Sequence, residues 1–175
     1  MALVAGLWLD QVTNFAGTGA GKAWSRSEWV EATMPTWRKV VEPVAGGVGN
    51  AVADAMMKQL GSFDASDLSQ LGIPEGMLPP GFDISSLSAQ MTPMLKQMSS
   101  SMFGMQVGQA IGALAGETVT GTEVGLPLVT PNAVTILPGN VASFADGLGV
   151  DTGEVHLYLA VREAARMRLF QSVGW

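Results

Sequence analysis

Glu163 is the residue whose setting first suggests chemistry. At 100° per residue, His156, Leu159, Ala160, Glu163, Met167 and Phe170 share one face of a C-terminal helix, which places a carboxyl on an otherwise apolar stripe. A carboxylate there needs a partner or a raised pKa, because burying an unpaired charge is costly. One reading is structural, an internal ion pair with an arginine such as Arg38, Arg162 or Arg166. The other is a catalytic or metal-site glutamate, with His156 two turns back as one ligand. Few other residues offer chemistry. His156 is the single histidine, and with no cysteine the chain has no thiol nucleophile, disulfide or thiolate metal site. The run Ala16-Gly17-Thr18-Gly19-Ala20-Gly21-Lys22 suggests a phosphate loop, but Ala16 replaces the first glycine and Ala23 stands where a hydroxyl would meet magnesium. Such a loop also follows a strand, and here a helix precedes, so the pattern argues against nucleotide binding.

Composition narrows the partners. The chain has 175 residues and is 47% apolar and 14% charged, which fits one folded domain with a sizeable core. Nine basic against fifteen acidic residues, a net charge of −6, leave no basic footprint for nucleic acid. The most apolar stretch, 102–115, is interrupted by Gln106 and Gln109 and falls short of the ~20 residues that span a bilayer. No membrane association is expected, and the cytoplasm is the expected location.

The elements that must position these residues are mostly helical. Leu3, Leu7, Val12 and Phe15 predict an amphipathic helix over 2–15. Ser25-Arg26-Ser27-Glu28 has capping-box spacing, so a helix starts there, and Pro35 predicts a break between 27–34 and a second segment over 36–59. Trp24, Trp29 and Trp37 are read as core anchors. Residues 61–86, rich in glycine and proline, read as a flexible loop. From Leu87 to about Gly116, apolar residues at steps of three and four predict a long helix whose methionines face the core. Gly104, Gly108, Gly112 and Gly116 form a row on it that suits close backbone packing. Residues 125–129 and 133–137 read as a small β-hairpin, Asn140 as the cap of a short helix to Leu148, and Asp151 as the start of the last helix, to about Val173.

Three blocks carry a resemblance: Ala23-Trp24-Ser25-Arg26-Ser27-Glu28-Trp29-Val30-Glu31-Ala32, Met102-Phe103-Gly104-Met105-Gln106-Val107-Gly108-Gln109-Ala110-Ile111-Gly112, and Val155-His156-Leu157-Tyr158-Leu159-Ala160-Val161-Arg162-Glu163-Ala164-Ala165. Together they resemble the actinobacterial zincin-like family of zinc-dependent metallopeptidases or hydrolases, some of whose members are associated with deazaflavin-coenzyme biosynthesis. In a zincin, HExxH on a helix sets two histidines on one zinc while the glutamate activates the bound water as general base. The resemblance implies Glu163 as the base and zinc as the cofactor. The aligned segment, however, is Arg162-Glu163-Ala164-Ala165-Arg166, and guanidiniums stand where the ligands would be.

The expectation is therefore a mainly α (α+β) single domain over 1–175, a helical zincin-like domain with a glycine-rich central helix and a small β-hairpin. It is expected to be the N-terminal part of a longer zincin-like protein, with a degenerate site, no zinc of its own and little or no hydrolase activity. Glu163 is the candidate base and His156 a candidate ligand. A non-enzymatic alternative is an interaction module or homo-oligomer, self-associating or binding a protein partner through a face left uncovered. Small-molecule binding between the helices is a third.

Overall fold

A computed structural model describes residues 1–17, 19–61, 84–129 and 133–173. In chain order the elements are α1 (Ala2–Leu9), β1 (Gly19–Ala23), α2 (Arg26–Gly61), α3 (Ile84–Glu117), β2 (Ala133–Ile136), α4 (Pro138–Ala145) and α5 (Thr152–Ser172). The chain divides into two compact units, one of residues 1–39 with 109–175 and one of 40–108. The protein is mainly helical with a small sheet, as the hydrophobic periodicity implies. Among the described residues no helix is long and apolar enough to cross a membrane.

In the first unit α5 is the axis. Ala160 and Ala164 pack with Ala5 and Leu9 of α1 and Val134 of β2, while Val155 and Leu159 pack with Val119 and with Val141 of α4. Asp151 starts α5, its carboxylate accepting the Gly153 N–H at 2.8 Å. α2 starts at the expected capping box: the Ser25 hydroxyl accepts the Glu28 N–H at 3.2 Å, and the Glu28 carboxylate accepts the Ser25 N–H at 2.7 Å. Trp29, without exposed surface, anchors that end, while Trp24 and Trp37 are half-buried.

Several expectations are corrected. α1 ends at Leu9 and buries Ala5 and Leu9, leaving Leu3, Leu7, Trp8, Val12 and Phe15 exposed. Small Ala5, not the larger residues, allows the close approach to α5. α2 runs unbroken through Pro35, since one proline forfeits a single ladder bond while its neighbours hold, as Pro93 does within α3. The hairpin is replaced by a parallel pair: β2 aligns with β1, Lys22 opposite Thr135 and Ala23 opposite Ile136, and residues 125–129 form no strand. The glycine-rich run that suggested a phosphate loop supplies β1, where the Cβ of any residue at Gly21 would come within 2.7 Å of the Ala2 Cβ. Asn140 caps no helix of its own; it lies buried within α4, which begins at Pro138. Its amide donates to the Ala115 and Thr118 carbonyls at the end of α3, and its carbonyl accepts the Arg26 Nε–H at 2.7 Å. Gly147 and Gly149, both with positive φ, follow the end of α4 at Ala145.

The second unit is formed by the long arms of α2 and α3. Gly49 faces Lys96 and Ser100, and the Thr92 hydroxyl donates to the Met57 sulfur at 3.4 Å, so the two arms run antiparallel. The expected loop at 61–86 falls largely outside the described residues, and α3 already begins at Ile84. The described methionines on it do not face a core: Met94, Met98, Met102 and Met105 are exposed. The glycine row makes no close approach either: among the described residues, a Cβ at Gly104, Gly108, Gly112 or Gly116 would meet no atom within 4 Å. Beside Gly112 and Ala115 lies a cleft of about 650 Å³ walled by Val30 and Met34, with Arg26 and Arg38 along the same side.

Candidate functional site

Residues 118–123 link the end of α3 to a turn that lies against both β2 and α5. Hydroxyls alternate along Thr118, Thr120 and Thr122, and all three residues are buried. The segment pairs with β2 through Thr120 opposite Ile136, the Gly121 N–H donating to the Thr135 carbonyl and the Leu137 N–H to the Val119 carbonyl. The turn closes with the Gly125 N–H on the Thr122 carbonyl at 2.9 Å, Gly125 taking a φ of 80°. This holds Thr122 and Glu123 against the middle of α5.

Glu163 is fully buried and meets Thr122 twice. The Thr122 N–H donates to its carboxyl oxygens at 3.1 and 3.3 Å, and the Thr122 hydroxyl donates to the same carboxyl. Burial pushes this carboxyl above the ordinary glutamate range, although the Thr122 and Thr120 hydroxyls, the Thr122 N–H and the Arg166 charge pull it down. Gly121 makes the approach possible, since a Cβ there would sit 3.0 Å from the Glu163 carboxyl and from Thr135. The structural expectation of an ion pair is thus corrected in its partner: the carboxyl is held by Thr122, with Arg166 acting only through its field.

The two arginines on either side of Glu163 converge on Glu123 instead. Arg162 donates to one oxygen of that carboxylate, and an Arg166 nitrogen lies 3.8 Å from the other and 3.3 Å from the Thr122 carbonyl. The Thr120 hydroxyl also donates to Glu123, at 3.0 Å. One turn of α5 therefore grips residues 120–123 at three points. Sequence reasoning found Glu163, Arg162 and Arg166 but missed Thr122 and Glu123; the period-two threonines were the available signal. It also missed Arg168, buried on the same helix, which bonds the Gly6 carbonyl at 3.1 Å and Asp10 at 2.7 Å and so ties α1 to α5.

His156 goes elsewhere. Its Nδ1 lies 2.8 Å from the Thr152 carbonyl, and the ring borders a cleft of about 480 Å³ between the start of α1 and β1, with Lys22 on the same cleft. Seven residues separate it from Glu163, roughly 10 Å along the helix axis. The structure does not bring the two together.

Zinc does not fit this donor set. Both Glu163 oxygens are engaged by hydrogen-bond donors, the two neighbouring guanidiniums are taken up by Glu123, and among the described residues no group of three histidine, aspartate or glutamate side chains could share a metal ion. A family model described as zincin-like metallopeptidase matches residues 1–175, and the chain belongs to that family. No curated protein and no solved structure matches it.

Proposed function

We propose that this chain is a zincin-like family member in which the glutamate block of α5 acts as a structural clamp, and that it neither holds zinc nor hydrolyses peptides by itself. The observation that supports this most directly is the pairing of Glu163 with the N–H and hydroxyl of Thr122 in a site without exposed surface. A general base must reach a water and a substrate carbonyl. Here the carboxyl is turned onto the protein's own backbone, and the cationic positions beside it are filled by Arg162 and Arg166.

The test is elemental analysis of purified protein together with peptide hydrolysis in the presence of added zinc, for wild type and Glu163→Gln. The reading expects far less than one zinc per chain and no metal-dependent hydrolysis. Stoichiometric zinc that is lost in His156→Ala, or a hydrolysis rate abolished by Glu163→Gln, would overturn it and return Glu163 to the role of base.

A further inference from the structure

The second unit carries an apolar face that the clamp does not use. Along α2, Val41, Ala45, Gly49, Ala53 and Met57 form a buried or half-buried row, on which Gly49 and Met57 meet α3. One residue before each stands Val40, Val44, Val48, Val52 and Met56, exposed by 37–52%. One residue after each stands Glu42, Gly46, Asn50, Asp54 and Lys58, a largely polar flank. The same offset recurs on α3, where Met94, Met98 and Met102 precede the half-buried Leu95, Ser99 and Phe103, and with Met105 are exposed by 60–71%. In a pair of antiparallel right-handed helices, rows that precede the contact row fall on the same side of the pair. The valine and methionine rows thus lie on one side of the hairpin, both arms contributing and all residues within one compact unit.

We infer that this face is the surface through which two copies of the chain associate, each two-helix hairpin packing on the other to complete a four-helix arrangement. Three observations favour a second copy over other occupants. The nine side chains present on the order of 900 Å², above the roughly 300–600 Å² of the largest patch on an ordinary monomer and close to the roughly 800 Å² per partner of a stable interface. Charge does not oppose self-pairing, since the two arms carry Glu42 and Asp54 against Lys58 and Lys96. A bilayer surface is disfavoured by the same residues, because helices that lie on membranes line their polar face with lysine and arginine.

The valine row is also its own complement. Turned about Val48, a second α2 sets Val44 against Val52 and Val40 against Met56, so a two-fold interface repeats apolar on apolar along its length. Each copy adds to the other the wall that an isolated two-helix hairpin lacks.

Light scattering across a dilution series tests this on the whole chain. The expected result is a mass twice the 18.2 kDa of one chain that falls toward the single-chain value on dilution. Val44→Glu combined with Val52→Glu, at exposed positions and checked for unchanged helicity by circular dichroism, should give the single-chain mass throughout. As the chain lacks cysteine, Val48→Cys offers a unique thiol, expected to form a disulfide-linked pair under mild oxidation much faster than Asn50→Cys on the polar flank. A single-chain mass for wild type at every concentration overturns the proposal, as does a dimer that survives the glutamate pair or cross-linking at Asn50→Cys as fast as at Val48→Cys. Neither outcome bears on zinc content, so this inference and the clamp reading fail separately.

Discussion

The carboxyl of Glu163 and the residue Thr122, 41 positions apart in the chain, are joined by two donors from one residue, a backbone N–H at 3.1 Å and the hydroxyl beside it. An isolated buried carboxyl would be a liability, and this pairing converts it into the bond that fixes the loop after α3 onto α5. Arg162 and Arg166, bound to the neighbouring Glu123, reinforce the same attachment from half-exposed positions where each ion pair contributes little alone.

Removing the clamp should separate shape from charge. Glu163→Gln keeps an oxygen for the Thr122 N–H, and the hydroxyl can turn to meet the amide, so unfolding free energy should change by no more than about 1 kcal/mol. Glu163→Ala strands both Thr122 donors in a dry site and leaves a cavity, and should cost about 2–4 kcal/mol. Urea titration of the two variants beside wild type measures this, and equal losses would mean that the hydrogen bonds carry no weight.

The pH dependence follows from the raised Glu163 carboxyl. Because the folded state binds this proton more tightly than the unfolded chain, its contribution is fully present below the ordinary glutamate value of 4.5 and is lost as pH rises through the higher folded value. Glu28 works in the opposite direction: the Ser25 N–H and then its hydroxyl hold that carboxyl low, so its contribution is present above the ordinary value and fades as pH falls through the folded one. The urea midpoint of wild type minus that of Glu163→Gln should therefore decline as pH rises above 4.5. A difference that stays flat, or rises, would contradict the burial that sets the sign.

Two glycines are expected to respond oppositely to alanine. At Gly121 an added methyl meets the Glu163 carboxyl and Thr135 at 3.0 Å, and the crowding should destabilise by about 1–3 kcal/mol while loosening the clamp. At Gly112, inside α3 with open space around it, the same change should stabilise by up to about 1 kcal/mol through helix propensity alone. Thermal melts of both variants decide it. Loss of stability in Gly112→Ala would restore the close packing that the glycine row suggests on paper.

What the sequence disclosed was local. Ser25 and Glu28 lie within one turn of each other, so their capping box needs no tertiary knowledge; the spacing that puts Glu163 on the apolar face of α5 is likewise a property of one helix. What it hid depended on distant partners. Gly19–Ala23 has no β-branched residue to mark it as a strand, and it becomes one by pairing with Ala133–Ile136 more than a hundred residues away. Asn140 reads as a cap for the helix around it, whereas its amide serves the end of α3. The methionine period was read correctly as a helical face, but periodicity reports that a face is apolar without saying what covers it. Thr122 was the least legible, because nothing in a turn residue announces which carboxyl it will meet.

The strongest test of the clamp reading is to place imidazoles at the two positions where an HExxH pattern around Glu163 would have them. Arg162 and Arg166 are four residues apart and both guanidiniums point at one carboxylate, Glu123, so the structure already directs two cations to a common place beside Glu163. Imidazoles at the same two positions would share that face of α5, as zinc ligands at i and i+4 must, and Glu123 would supply a third donor of a type found in two-histidine, one-glutamate zinc centres. Arg162→His combined with Arg166→His is therefore expected to retain close to one zinc per chain after dialysis, with Glu123→Gln in the same background abolishing it. Zinc raises the thermal midpoint of a protein that binds it only when folded, so the double variant should melt higher with the metal while wild type does not move. Should the double variant fold yet hold no zinc, the convergence on Glu123 is an ion pair and not the outline of a metal site.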